Sequence, residues 1–155
     1  MEPEPGRNHP AHMPAVERHN EPIIIFMTVC SKDRKSIFAH NDSANVILDA
    51  WREAKTWLVG RYVIMPDHIH FFCAPGLFPA ETLKQWVRYW KNLASKIWPR
   101  PDEHPIWQRD FWDTQLRRHE NYDEKWEYVL NNPVRAGLVT RSEDWLFRGE
   151  LNVLP

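Results

Sequence analysis

Residues 57–74 of the chain are WLVGRYVIMPDHIHFFCA, two apolar runs joined by the turn-forming pair Pro66-Asp67. Both runs are rich in β-branched and aromatic side chains, and both have the length of a strand. Proline and aspartate are typical of turns, so we expect strands at 57–65 and 68–74 with Asp67 in the turn between them. The other elements of the fold can be placed outward from this pair.

Further elements flank the two strands. An apolar run at 22–30 predicts an earlier strand, and apolar residues with helical spacing predict a helix at 44–55. Beyond the pair we expect a helix at 80–98, an aromatic-rich strand at 106–116 and a last helix at 121–132. The order strand, helix, strand, strand, helix, strand is the ferredoxin-like βαββαβ unit. The sequence therefore predicts an α+β fold, an antiparallel sheet with helices on one face plus a C-terminal helix.

The length of 155 residues suits one domain with its own core. Residues 1–21 are polar and proline-rich, so we expect a flexible arm before a single domain at 22–155 that ends in a tail. No apolar stretch reaches the roughly 18 residues of a membrane span, and no secretory signal is recognisable. Cys30 and Cys73 stand singly in apolar runs, as buried free thiols do. These features predict a cytoplasmic protein that does not bind membranes.

The net charge is −1, so a nucleic-acid partner requires a local concentration of positive charge. The predicted helix at 80–98 supplies one. For contacts with DNA phosphates we select six residues on this helix and around the following strand: Lys84, Arg88, Lys91, Arg109, Arg117 and Arg118. The alternative is that the basic helix is simply a solvated surface. Trp107 and Trp112 are candidates for stacking on unpaired bases, although burial in the core is the simpler use of these rings.

His68 and His70 are two residues apart on a predicted strand, so their side chains point to the same face of the sheet. With Cα atoms roughly 6–7 Å apart, the two imidazoles could bind one divalent ion while Ile69 points into the core. Two histidines on one strand face also occur by chance. The pair by itself leaves both interpretations open.

Tyr128 and Asn132 are four residues apart on a predicted helix and therefore share a face. This spacing would bring a nucleophile next to a metal ligand. The alternatives are a tyrosine half-buried in the core and an asparagine that caps the helix. Pro133 disfavours helical geometry at the residue before it, so Asn132 could also stand at the junction of two helices.

Three motifs, in order along the chain, resemble those of REP-associated tyrosine transposases, a branch of the single-tyrosine HUH endonucleases. Residues 62–70, YVIMPDHIH, are similar to the family segment Y-V-x-M-P-x-H-x-H. Residues 107–112, WQRDFW, are similar to its W-Q-x-x-F-W strand. Residues 128–139, YVLNNPVRAGLV, are similar to Y-I-x-x-N-P-V-x-x-G-L-V.

The resemblance implies a ferredoxin-like fold, in agreement with the order of predicted elements. It implies that His68 and His70 bind Mg²⁺ or Mn²⁺ with Asn132 as third ligand, and that Tyr128 is the nucleophile. The implied partner is single-stranded or hairpin DNA, cleaved and rejoined by transesterification through a 5′-phosphotyrosine intermediate. Because the REP-associated branch tends to act as monomers, a monomer is expected rather than a homodimer.

Two other functions are compatible with the sequence. A domesticated transposase could bind hairpin DNA or RNA without cutting, since a ferredoxin-like sheet also serves RNA recognition. A hydrolytic metallonuclease would use water as nucleophile and would tolerate the loss of Tyr128. The presence of His68, His70, Tyr128 and Asn132 together favours cleavage by tyrosine, because a binding protein has no use for all four.

Overall fold

The structure, a computed structural model, describes residues 23–77, 81–116 and 120–155. The predicted arm at 1–21 lies outside these ranges. The elements are, in order, β1 (Ile25–Cys30), α1 (Asn41–Glu53), β2 (Trp57–Ile64), β3 (His68–Pro75), α2 (Leu83–Lys96), β4 (Trp112–Gln115), α3 (Glu120–Leu130), α4 (Asn132–Arg135) and β5 (Arg148–Glu150).

The five strands form one antiparallel sheet in the order β4-β1-β3-β2-β5. The first four strands have the order of the βαββαβ unit, so the predicted α+β fold class is confirmed. The fifth strand was expected only as part of a tail. It pairs with β2, where Tyr62 faces Gly149.

The sheet is covered on both faces. Helices α1 and α2 pack on one face, the α1–α2 face, as predicted for the two helices of the βαββαβ unit. Its core includes Met27, Ile69, Phe71, Trp86 and Trp90. The C-terminal helix α3 covers the opposite face, the α3 face, whose core includes Phe26, Phe72, Tyr122 and Val129. Because side chains alternate along β3, His68 and His70 point to the α3 face with Phe72.

A capping box sets the start of α2. The hydroxyl of Thr82 accepts a hydrogen bond from the Gln85 amide at 3.1 Å, and the Gln85 side chain accepts one from the Thr82 amide at 3.3 Å. These bonds satisfy amide groups that have no partner within the first helical turn. The helix therefore begins at Leu83, inside the predicted range 80–98, and buries an apolar stripe that includes Trp86 and Trp90.

The fourth strand is shorter than the predicted range 106–116. Trp107 forms an isolated bridge with Ser31, and regular pairing with β1 begins only at Trp112. Between them, the Asp110 carboxylate accepts a hydrogen bond from the Phe111 amide at 2.9 Å. Such local side-chain bonds compete with the hydrogen bonds of a sheet, which explains the interruption.

The structure bears on the predictions about the cysteines and about membrane spans. Cys30 and Cys73 are both buried thiols, as predicted. In the described parts of the chain, no helix combines the length and the apolar character that crossing a bilayer requires.

Candidate active site

The two histidines lie side by side near the start of β3. Both are buried, and their ring centroids are 4.7 Å apart with nearly perpendicular planes. The Thr28 hydroxyl lies 2.9 Å from Nδ1 of His70, across the β1–β3 pairing. Strand alternation therefore brings His68 and His70 together as the sequence predicts.

Burial makes His70 a candidate ligand in its neutral form. Its Nε2 atom is buried and has no hydrogen-bond partner among the described residues. Burial, together with the nearby charges of His68, Lys125 and Arg135, holds the pKa of His70 well below its usual value. Burial also lowers the pKa of His68. A neutral imidazole with one unsatisfied buried nitrogen fits a metal ligand. A bound cation would remove the energetic cost of burying that nitrogen without a hydrogen-bond partner.

Asp67 and Arg34 hold the ring of His68. One carboxylate oxygen of Asp67 is 2.8 Å from Nδ1 of His68, and the other accepts a hydrogen bond from Nε of Arg34 at 3.1 Å. The bond from His68, and then that from Arg34, lowers the pKa of Asp67 to about 2. With Nδ1 donating to Asp67, metal ligation by His68 would use Nε2. The turn residue Asp67 thus has a second role that sequence reasoning missed.

The segment that carries Arg34 has an unusual backbone. Asp33 and Arg34 have φ angles of 57° and 55°, in the left-handed region that non-glycine residues rarely adopt. Two such residues cost on the order of 1 kcal/mol each and persist where the surrounding structure holds them. Here the strained segment presents Arg34 to Asp67, next to the histidine pair.

Tyr128 is the accessible tyrosine of α3. Its side chain is 47% exposed, whereas Tyr122 on the same helix is 3% exposed. The Tyr122 hydroxyl accepts a hydrogen bond from the Arg61 amide at 3.1 Å, and burial raises the pKa of Tyr122. A substrate can therefore reach Tyr128, while Tyr122 is part of the core.

A break in the last helix determines the surroundings of Tyr128. The predicted helix at 121–132 ends at Leu130, and α4 begins at Asn132 with Pro133, which lacks an amide hydrogen, in its first turn. The prediction that Tyr128 and Asn132 share one helix is therefore wrong. The alternative, in which Asn132 stands at the junction of two helices, is the observed arrangement.

Arg135 connects Tyr128 with Asn132. Its Cζ atom lies 3.9 Å from the centroid of the Tyr128 ring. Its Nη2 atom donates to the Tyr128 carbonyl at 2.7 Å and to Oδ1 of Asn132 at 3.2 Å. Sequence reasoning missed Arg135, because residues seven apart on a straight helix lie about 10 Å apart along its axis.

Asn132 is buried at this junction. It is 4% exposed, and its Nδ2 atom has no hydrogen-bond partner among the described residues. Its oxygen accepts from Arg135 and keeps a second lone pair for a further ligand. In the described ranges, no group of three or more His, Cys, Asp or Glu side chains could hold a metal ion. A ligand set of His68, His70 and Asn132 would therefore rest on two imidazoles and an amide oxygen.

Phe26 and Lys125 lie between the histidines and Tyr128. The Phe26 ring stacks on His70 with centroids 5.3 Å apart and planes at 23°. The Lys125 ammonium lies 4.7 Å from the Phe26 centroid and 5.7 Å from that of Tyr128. These contacts join His70 to Tyr128, so the candidate residues belong to one region of the α3 face.

Four of the six selected basic residues line a second feature, the basic groove. This groove of about 640 Å³ lies between α2 and the segment at 107–111, and its lining includes Lys84, Arg88, Lys91 and Arg109. Three of them are exposed, but Lys91 is buried and donates to the Gln108 carbonyl at 3.0 Å. Arg117 and Arg118 lie outside the described residues.

The basic groove adjoins the strand that carries the histidines. The Gln108 amide donates to the Cys30 carbonyl, and Cys30 pairs with His68 on its other side. With strands about 4.8 Å apart, the groove wall is about 10 Å from β3. Of the two tryptophans considered for stacking, Trp107 packs against the core of the α1–α2 face. Trp112 pairs with Thr28 and lies on the α3 face.

Comparisons with known proteins identify relatives. No family model matches the chain. A REP-associated tyrosine transposase of Escherichia coli (strain K12) is 27% identical over 89 residues, which are 57% of this chain and 52% of that protein. An uncharacterised protein of Haemophilus influenzae is 23% identical over 143 residues, covering 70% of this chain and 79% of its own.

One solved structure is that of a REP-associated tyrosine transposase bound to a REP hairpin. It matches with a TM-score of 0.67 and 21% identity, covering 88% of this chain and 82% of that one. At this identity the likeness shows the fold. The chain is therefore similar in sequence to one REP-associated tyrosine transposase and in fold to another, as its three motifs predict.

Proposed function

We propose that this protein is a metal-dependent transposase that cleaves and rejoins single-stranded DNA at hairpin elements. The observation that carries the proposal is the exposed Tyr128, stacked on Arg135, on the same face of the sheet as a buried histidine pair. A core tyrosine would be buried, as Tyr122 is, and would need no arginine to orient it. The relationship to REP-associated tyrosine transposases supports DNA as the substrate.

In the proposed reaction, Oη of Tyr128 attacks the phosphorus of a DNA phosphodiester. The new bond joins Oη to phosphorus, and the bond from phosphorus to the 3′ oxygen breaks. The phenolic proton is transferred to the departing 3′ oxygen, so the products are a 5′-phosphotyrosine and a free 3′-hydroxyl. One ester bond replaces another, and the reverse attack by a 3′-hydroxyl rejoins the strand without an external energy source.

The residues present fit a divalent cation, Mg²⁺ or Mn²⁺. His68 and His70 would hold it through Nε2, and Asn132 through its amide oxygen. Such an ion, when bound, would polarise the scissile phosphate and neutralise charge on its oxygens. The role of Arg135 is to keep the Tyr128 ring in one orientation, because the guanidinium contacts both the ring and the backbone of that residue.

The basic groove would bind the duplex or single strand that leads to the site. Lys84, Arg88 and Arg109 are exposed there and suit contacts with phosphates. Lys91 would act differently, because its ammonium bonds the Gln108 carbonyl and so fixes the wall of the groove.

The test is covalent capture of the DNA. Wild-type protein and the Tyr128→Phe variant are incubated with Mn²⁺ and hairpin DNA from the flanks of the gene, labelled at the 3′ end. We expect labelled DNA to migrate with wild-type protein on a denaturing gel, and not with Tyr128→Phe or after addition of EDTA. Tyr122→Phe is the matched control, since that hydroxyl is buried and should not be needed for the chemistry.

Two results would contradict the proposal. Cleavage that survives in Tyr128→Phe would show that water is the nucleophile, as in a hydrolytic metallonuclease. Tight binding of hairpins without cleavage by wild type, with either Mg²⁺ or Mn²⁺, would identify a non-catalytic hairpin-binding protein.

A further inference from the structure

A cleft of about 430 Å³ lies beside Tyr128, between α3 and the edge of the sheet. We infer that this cleft, the nucleotide cleft, binds the unpaired nucleotide next to the phosphate that Tyr128 attacks. The inference rests on the proposed function, because it takes Tyr128 to be the nucleophile. It adds a binding subsite and a base preference, which neither the three motifs nor the comparisons assign.

The helical side of the cleft is a continuous polar stripe. Its members are Asn121, Glu124, Lys125 and Tyr128, with the i, i+3, i+4, i+7 spacing of one helix face. The apolar side chains of Tyr122 and Val129 occupy the face turned to the sheet. A polar stripe is ordinarily solvated surface, but this one borders a concave space and includes the proposed nucleophile. The volume lies within the range of about 300–1,000 Å³ that is typical of ligand sites.

The opposite wall comes from the edge of the sheet. Phe26 of β1 and Leu116, which follows β4, give it an apolar character, and Thr114 of β4 adds a hydroxyl. The Phe26 ring is the one that stacks on His70, so this wall of the cleft is in contact with the histidine pair. A base lying against this apolar wall would place its phosphate near both Tyr128 and the histidines.

The charge of the cleft suits a nucleotide. The Lys125 ammonium lies over the Phe26 ring and near that of Tyr128, so a positive charge is held beside the proposed nucleophile and can pair with a phosphate of the bound nucleotide. Aromatic contact combined with a fixed cation is the usual arrangement for binding single-stranded nucleic acid.

Glu124 and Asn121 give the cleft a base preference. A carboxylate only accepts hydrogen bonds, so Glu124 favours a base with an exocyclic amino group: adenine, cytosine or guanine. Thymine has no amino group, and its one donor on this edge, the ring N3–H, lies between two carbonyl oxygens that repel the carboxylate. The amide of Asn121 both donates and accepts, and it does not set this preference.

The experiment is a base scan by fluorescence anisotropy in EDTA, where no cleavage occurs. Single-stranded hairpin oligonucleotides carry an abasic site, or each of the four bases, at successive unpaired positions. We expect one position at which an abasic site or thymine weakens binding by about tenfold. Glu124→Gln should abolish the discrimination against thymine there, because a carboxamide can donate to its carbonyl oxygen. Lys125→Gln should weaken binding while keeping the preference, and Lys96→Gln on exposed α2 surface is the matched control.

The inference is overturned if no unpaired position is sensitive, or if the sensitive position is unchanged by Glu124→Gln. Its failure can be distinguished from failure of the proposed function. Phosphotyrosine formation without a Glu124-dependent base preference would reject the nucleotide cleft alone. A preference that depends on Glu124 without covalent capture would support the cleft and reject the cleavage reaction.

Discussion

Arg135 touches both Tyr128 and Asn132, and this contact gives a prediction for single residues. Arg135→Lys keeps the positive charge but loses the planar donor pair and the stacked guanidinium. We expect phosphotyrosine formation to slow by about tenfold in Arg135→Lys and further in Arg135→Ala, which corresponds to about 1–2 kcal/mol of transition-state stabilisation. Single-turnover rates with saturating DNA measure the effect.

A purely structural role for Arg135 would give a different result. The thermal midpoint would fall in both variants, while the rate per folded molecule stayed at the wild-type value. Arg141→Lys is the control, since Arg141 is an exposed arginine of the same C-terminal region whose ion pairs are at 3.8 Å. Its rate should be that of wild type.

Lys91 gives a prediction about the pH dependence of stability. Burial lowers the pKa of this amine from 10.5 to about 8. Between these values the folded protein has released the proton and the unfolded chain has kept it, so the free energy of unfolding rises with pH across this window. The gain is at most about 3–4 kcal/mol, since one pKa unit corresponds to about 1.4 kcal/mol.

Chemical denaturation at pH values from 7.5 to 10.5 measures this gain. In Lys91→Met, the free energy of unfolding should rise less with pH than it does in wild type. It should also be lower by a constant amount at every pH, because the Gln108 carbonyl loses its hydrogen-bond donor. Lys96→Met, on an exposed position of the same helix, should keep the wild-type slope. Equal slopes in wild type and Lys91→Met would contradict the assignment.

The sequence predicts part of the candidate site. Strand alternation is enough to place His68 beside His70, and the family motif points to Tyr128. The contacts of Arg34 with Asp67 and of Arg135 with Tyr128 could not be predicted. The first depends on the strained backbone at residues 33–34, and the second on the break between α3 and α4. Pro133 predicts that the helix breaks here, but it does not predict how α4 is oriented after the break.

At the level of elements, Gly60 controls how α3 and the C-terminal segment pack on β2. A Cβ atom at this buried position would lie 2.7 Å from Leu154 and 2.7 Å from the Tyr122 hydroxyl. We expect Gly60→Ala to lower the free energy of unfolding by about 1–3 kcal/mol through overpacking. Leu154→Ala in the same molecule should restore part of this loss, because the truncated side chain leaves room for the added methyl group.

A double-mutant cycle by denaturant unfolding tests the coupling. The double variant should be more stable than the sum of the two single effects indicates. Strict additivity would mean that Leu154 does not limit the space at Gly60, and that Tyr122 alone opposes the added atom. In that case Gly60→Ala combined with Tyr122→Phe should show the coupling instead.

The elements themselves were largely predictable. The βαββαβ order follows from two periodicities, 2 in the strands and 3.6 in the helices, and the strand order confirms it. The strand β5 was not predictable, since three residues that include Gly149 have no periodic pattern. Its pairing with β2 is a contact between segments far apart in the sequence.

At the level of the whole molecule, the two proposed DNA-binding features lie on opposite faces of the sheet, near the same edge. The basic groove ends at residues 107–111, before β4, and the nucleotide cleft is lined by Thr114 of that strand. Because β4 is an edge strand of only four residues, it separates the two features by a short distance. Duplex DNA in the groove could thus continue as a single strand into the cleft.

The same arrangement predicts that one chain carries a complete active site. Helix α3 packs on its own sheet through Tyr122 and Val129, and this brings Tyr128 to the face that holds His68 and His70 of the same chain. We therefore expect a mixture of Tyr128→Phe and His68→Ala proteins to form no phosphotyrosine. Each variant must first show wild-type circular dichroism, because His68 is buried.

If α3 were exchanged between two chains, the mixture would contain sites with both Tyr128 and His68 intact. Covalent capture would then reappear on mixing and increase with protein concentration, as dimers formed. Sedimentation of the wild-type protein with and without hairpin DNA gives an independent measure, and we expect one chain per hairpin. Recovery of activity together with a dimer mass would show that the tyrosine acts in trans, and the contacts of α3 with its own sheet would then describe only the uncomplexed chain.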